Sequence, residues 1–103
     1  MDCSTQNAYW ASVNNGCFLC INCGGKHRGF GKNISFVRST TLDAWTQQQI
    51  TMMEYGGNER LRKFWKKQKI PFKKLSLKLK YNNKAMDEYR ECLNSINPIE
   101  TIF

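Results

Sequence analysis

The hydrophobic pattern changes character near residue 40, with strand-like segments before it and helix-like segments after it. Residues 10–14 and 17–21 read as two strands. Between them sits Asn15-Gly16, a strong signal for a two-residue hairpin turn whose central residues both take positive φ. Residues 34–38 read as a third strand, with Ile34, Phe36 and Arg38 on one face and Ser35 and Val37 on the other. Gly24, Gly25, Gly29 and Gly31 surround His27 and Arg28, which leaves either a loop or a short helix packed closely on its neighbours.

Beyond that point helical spacing takes over. Thr46 and Gln49 make a capping box, flanked by Trp45 and Ile50 in the hydrophobic-staple positions. This helix is predicted to run to about Tyr55 and stop at Gly56-Gly57. Asn58 can cap the next, whose buried face carries Leu61, Phe64 and Trp65, and Pro71 ends that stretch. Leu75, Leu77 and Leu79 alternate with Ser76, Lys78 and Lys80, which taken alone suggests a strand. Leu75 and Leu79 also stand four apart, so a helical turn fits as well. A last helix starts near Asn82 or Asn83, with Ala85, Met86, Tyr89 and Leu93 at helical spacing, and Asn97-Pro98 closes it. No internal repeat or low-complexity tract divides the chain, so residues 1–103 are read as a single domain.

A hydrophobic fraction of 41% with 13% aromatic residues fits a globular chain rather than a disordered one. No apolar run reaches the length of a membrane span, and the first residues lack the pattern of a signal peptide. The cysteine count is five, and Cys17, Cys20 and Cys23 are crowded together. That argues against a disulfide framework and for metal thiolates in a reducing compartment. Charge is uneven. Ten of the 16 Lys and Arg residues lie between Arg60 and Lys80 with no Asp or Glu among them, and the remainder is slightly acidic, giving +8 overall. Such a segment is either a solvated face or a contact surface for an acidic partner, anionic lipid or nucleic acid.

Cys20-x-x-Cys23 has the spacing of a zinc knuckle, and Cys3 can supply a third thiolate by way of the hairpin. A Cys-x-x-Cys partner for Cys3 would fall just before Met1, so this chain is expected to lack the fourth ligand. Cys17 and Cys92 are expected to be packing residues. His27 can be a ligand, although a structural or hydrogen-bonding role suits it better. Arg28 follows Cys23 by five residues, among glycines that let another molecule come close. The expected arrangement is a metal-braced platform that presents a cation. Trp10, on an expected edge strand, is a core residue or an interface residue.

Six runs in order resemble the ArfGAP domain, the GTPase-activating module for ADP-ribosylation-factor GTPases. They are Trp10-Ala-Ser-Val, Gly16-Cys-Phe-Leu-Cys20-Ile-Asn-Cys23-Gly-Gly, His27-Arg28-Gly-Phe-Gly31, Ile34-Ser-Phe-Val-Arg38-Ser39, Leu42-Asp43-Ala-Trp45 and Gly57-Asn58. The run Lys26-His27-Arg28-Gly29 and the later Lys80-Tyr81-Asn82 look most like the Golgi-associated branch. The resemblance implies an α+β fold, a small zinc-containing three-stranded sheet surrounded by about five helices, with the segment at Leu75 to Lys80 helical. It implies zinc as cofactor, with Cys3, Cys20 and Cys23 matching three of the family's four ligands. It implies Arg28 as an arginine finger and Trp10, Ile21 and Asp43 as GTPase-binding positions. The implied partner is an Arf-family GTPase in its GTP form, met by a monomer in the cytoplasm at Golgi or vesicle membranes during vesicle traffic. Asn33, where the family usually has histidine, and Cys17, where it has an aliphatic residue, depart from the pattern.

The basic segment adds an anionic membrane or coat proteins as a second expected partner. Two other readings use the same residues. A zinc-finger nucleic-acid binder suits the charge, but most of that charge is far from the knuckle and no recognition helix follows Cys23, so no specific nucleic-acid partner is expected. An inactive interaction module suits the missing ligand. GTP hydrolysis separates these readings from a GTPase activator.

Overall fold

The computed structural model describes residues 8–69 and 74–95. Cys3, Pro71 and the Asn97-Pro98 pair lie outside them. The elements run β1 (Trp10–Ser12), β2 (Cys17–Leu19), α1 (Ile21–Arg28), β3 (Val37–Ser39), α2 (Gln47–Tyr55), α3 (Asn58–Lys67), α4 (Leu77–Tyr81) and α5 (Lys84–Asn94). The sheet is antiparallel in the order β2-β1-β3, with Trp10 opposite both Leu19 and Ser39. Among the described residues the chain therefore forms an α+β fold with a small three-stranded sheet and five helices. β1 is the central strand, which corrects the expectation that Trp10 lies on a sheet edge.

The hairpin differs from the expected two-residue turn. Ser12 pairs with Cys17, so four residues, 13–16, make the connection. The Gly16 N–H donates to the Val13 carbonyl, and Gly16 alone in this turn takes positive φ, at 62°. Asn15 is drawn out of the left-handed region because its buried side chain is used elsewhere. Its amide donates to the Ser12 hydroxyl at 2.7 Å and the Ile34 carbonyl at 2.8 Å, and its Oδ1 accepts from Arg90 at 3.1 Å. Asn14 works similarly, accepting from the Phe36 N–H at 2.8 Å. These bonds occupy residues 34–36, so the third strand is shorter than expected and starts at Val37.

α1 is the short helix rather than the loop, and it packs on all three strands. Cys20 ends the hairpin and caps this helix, its sulfur accepting from the Cys23 N–H at 3.4 Å. Gly24 faces Trp10 and Val37, so α1 lies close on the sheet. α2 begins with the full Thr46–Gln49 capping box and stops at Gly56, as its sequence predicts. Asn58 does not cap α3. Gly57, at φ 94°, takes the cap position, and the Asn58 Oδ1 accepts from the Phe18 N–H at 2.7 Å, tying the helix start to β2. The alternating leucine segment is a helix. Ser76 caps it, and Leu77 and Tyr81, four apart, turn inward while Leu79 is left exposed. Asn83 caps α5.

The core joins both halves. Buried His27 of α1 bonds the Ser35 hydroxyl through Nδ1 at 2.7 Å and meets Tyr81 of α4 edge-on at 4.4 Å between ring centroids. Tyr81 meets Trp65 of α3, whose indole N–H points at the Met86 sulfur of α5 at 3.3 Å. The helix that carries Arg28 is thus anchored through its buried neighbour His27 to three other helices. Cys17 is buried beside the Tyr81 hydroxyl, as a packing residue should be, whereas Cys92 is exposed on α5. The packing role expected of Cys92 is therefore incorrect, because its position turns towards solvent while Leu93 turns inward.

Candidate functional site

Arg28 is the last residue of α1 and is exposed, while His27 beside it is fully buried. Cations in the last turn of a helix are favoured by the backbone dipole, and Lys26 and Arg28 occupy that turn here. The Arg28 guanidinium lies over the Trp10 ring, 4.6 Å from its centroid. Such a contact is worth about 0.5–1 kcal/mol at an exposed site. It narrows the range of the side chain and leaves the donors at its edge available. Two residues far apart in sequence and singled out separately are therefore in contact.

The register sets where the other candidates stand. Ile21 opens α1 two residues after Leu19, the partner of Trp10, and is 68% exposed. Asp43 follows Ser39, the other partner of Trp10. Its carboxylate accepts from the Ser39 N–H at 2.7 Å, so it holds the loop after β3 in place. Ser39 adds to this through its hydroxyl oxygen, which accepts from the N–H groups of Thr41 and Leu42. What the loop presents is Leu42, at 82% exposure. Thr40 donates twice to the Tyr9 carbonyl, which brings exposed Tyr9 beside the same loop. Trp10, Ile21 and Asp43 thus gather at one end of the sheet, with Arg28 on Trp10. Tyr9 and Leu42 belong to the same rim and were missed in the sequence reading. A leucine inside a polar loop, with no periodic partner, was the available signal for Leu42.

Cys20 and Cys23 are buried side by side at the start of α1. The Cys20 sulfur already accepts the Cys23 N–H, so the two thiols are held on one turn. The pair fits half of a tetrahedral thiolate site. Among the described residues no group of three potential metal ligands is assembled, and Cys3 lies outside them. None of Cys17, Cys20, Cys23 and Cys92 is in a disulfide.

The basic segment is spread over α3 and the region around α4. Arg60, Arg62, Lys63, Lys66, Lys67, Lys74 and Lys78 are exposed. Acidic groups absent from the segment itself reach it from its borders: Glu59 pairs with Arg62 at 3.7 Å, and Glu88 of α5 joins Arg60, Lys63 and Lys67 around one cleft. The segment thus has acidic neighbours in space that it lacks within its own sequence.

Fold and site together define a small α+β domain that presents a helix-borne arginine against a tryptophan ring. Over residues 1–96 the sequence matches the family ArfGap, described as "Putative GTPase activating protein for Arf", and the chain belongs to this family. It is 42% identical over 96 residues to the ADP-ribosylation factor GTPase-activating protein GCS1 of Saccharomyces cerevisiae, covering 93% of this chain and 27% of that protein. It is 40% identical over 96 residues to ADP-ribosylation factor GTPase-activating protein 3 of Mus musculus, covering 92% of this chain and 18% of that one. The chain therefore spans about a quarter or less of these relatives. A crystal structure described as a putative GTPase-activating protein for ADP ribosylation factor from Cryptosporidium parvum superimposes with a TM-score of 0.80 at 36% identity, over 91% of this chain and 75% of that one.

Proposed function

We propose that this chain stimulates GTP hydrolysis on an Arf-family GTPase by lending Arg28 to the partner's active site. The observation that carries this is the Arg28 guanidinium, exposed at the end of α1 and steadied 4.6 Å over Trp10, in a chain of the ArfGap family. As the bond from the γ-phosphorus to the leaving oxygen lengthens, charge builds on that oxygen while the transferring group keeps its charge spread over three equatorial oxygens. A guanidinium brought there from outside neutralises that charge and raises the rate by roughly 10³–10⁵. The planar fork suits phosphate oxygens better than a lysine ammonium does. Exposed Ile21, Tyr9 and Leu42 supply the apolar docking rim around it. Zinc would be held by Cys20 and Cys23 with Cys3. When bound it would supply rigidity to the start of α1.

Single-turnover hydrolysis by a GTP-loaded Arf-type GTPase, at saturating activator, tests the reading. Arg28→Ala is expected to bind the GTPase nearly normally and to lose roughly 10³-fold or more of the stimulated rate. Arg28→Lys should recover little of it. Trp10→Ala should weaken binding and also loosen Arg28, so higher protein concentration restores only part of the rate. An Arg28→Ala protein as effective as the parent would remove the finger and leave a binding module.

A further inference from the structure

α3 carries Arg60, Lys63 and Lys67 at positions i, i+3 and i+7, which places three cations in one row about 10 Å long. Like charges at these spacings repel, so the row works against the helix unless something neutralises it. The row borders a cleft of about 450 Å³ between α3 and α5. Its floor is aromatic, with the rings of Phe64 and Tyr89 tilted at 4.7 Å, and Glu88 and the exposed Cys92 complete the lining. One carboxylate against three cations leaves the cleft at +2. The Tyr89 hydroxyl is buried and has no hydrogen-bond partner among the described residues. Burial pushes its phenol up to about 12, with Arg60 pulling the other way and Cys17 adding to the rise.

From this geometry we infer that the α3–α5 cleft binds the phosphomonoester headgroup of an anionic membrane lipid. A phosphomonoester carries about −1.5 to −2 near pH 7 and offers three acceptor oxygens, which complements Arg60, Lys63 and Lys67 at the cleft. The cations outside the cleft select a membrane over a soluble phosphate. Arg62 and Lys66 on the rest of α3, with Lys74 and Lys78 nearby in sequence, are all exposed. A field this broad suits a surface of many anions rather than one phosphorylated side chain. Arg28 and Trp10 take no part in the cleft, so the inference stands apart from the GTPase reading.

Vesicle co-sedimentation of the 103-residue chain tests it, using phosphatidylcholine vesicles with either phosphatidylserine or a phosphatidylinositol monophosphate at matched total charge. The chain is expected to prefer the monophosphate vesicles. The Lys63→Ala/Lys67→Ala double variant should lose that preference and bind those vesicles at least tenfold more weakly, given roughly fivefold per lost cation near a bilayer. Lys66→Ala/Lys74→Ala removes the same charge outside the cleft. It should weaken both vesicle types about equally and keep the preference. Headgroup binding should also protect Cys92 from a maleimide probe, read by peptide mass mapping. Equal binding at matched charge, or the same behaviour from both double variants, would overturn the site. Full displacement from vesicles by soluble inositol monophosphate at equal concentration, or by a phosphoserine peptide, would overturn the membrane assignment.

Discussion

Three buried polar side chains, Asn15, Arg90 and Tyr89, fall into two opposite cases in this fold. Asn15 uses both ends of its amide, and Arg90, also buried, reaches Asn15, the Tyr81 carbonyl at 2.6 Å and Asp87. Together they clamp the hairpin turn to α5, and a full set of partners is what makes such burial tolerable. Neither role was legible in the sequence. Asn15 carried the signal of a hairpin turn, and no local pattern singles out Arg90; only long-range packing assigns them. Tyr89 was recognised as a helix-face residue, but its orphan hydroxyl could not be foreseen. That hydroxyl yields a test. Tyr89→Phe should raise stability at neutral pH by about 1 kcal/mol, because an unpaired buried polar group is lost. The folded phenol titrates at about 12 against 10.0 for the free group, so its contribution is complete below pH 10 and is lost as pH climbs towards 12. Urea melts at pH 7 and 11 should therefore show the parent losing more stability than the variant. A difference between the two proteins that stays constant with pH would refute the assignment.

The best-read elements were those with local signals. Thr46, Gln49 and Gly56 delimit α2 because capping groups act within one turn, and Asn83 caps α5 in the same way. The errors fell where a distant partner decides. Asn58 bonds β2 instead of capping α3, and the third strand yields residues 34–36 to Asn14 and Asn15. Alternating leucines failed as a strand signal because Leu77 and Tyr81 pack inward together. Gly16 shows how tightly two elements can be joined. Its carbonyl accepts from the Gly57 N–H at 2.6 Å, and a Cβ on Gly16 would stand 3.0 Å from the Leu93 side chain and 3.2 Å from the Gly56 Cα. Gly16→Ala is expected to cost at least about 1–2 kcal/mol from the left-handed backbone alone. The clash with the end of α2 adds to that. Since Gly16 lies away from Arg28, the variant's rate of stimulated hydrolysis should be preserved at temperatures where it is folded. A denaturant midpoint equal to the parent's would show that the contact is slack.

For the molecule as a whole, the site is built by bringing separate stretches to one sheet end. The Arg28–Trp10 pair comes from α1 and β1, and the loop presenting Leu42 follows β3. The sequence resemblance supplied these residues individually; their contact and the exposed companions Tyr9 and Leu42 required the sheet register. The zinc proposal bears on the same construction. α1 is only eight residues long, too short to hold its shape unaided, and its mean composition is polar with glycine at two central positions. Its start is secured by Cys20 and Cys23 and its end by His27 in the aromatic core. A metal on the two thiolates would thus brace the end opposite Arg28, and metal binding would count directly as folding free energy. The purified chain is accordingly expected to contain zinc by elemental analysis, held more weakly than at a complete four-ligand site. A strong chelator should lower its melting temperature, and Cys20→Ser or Cys23→Ser should lower both metal content and melting temperature. Under mild chelation the stimulated hydrolysis should fall with the metal content, because a loosened α1 no longer holds Arg28 over Trp10. A chain that purifies without metal, melts cooperatively and ignores chelators would show that packing of His27 and the sheet alone carries α1, and the zinc brace would have to be abandoned.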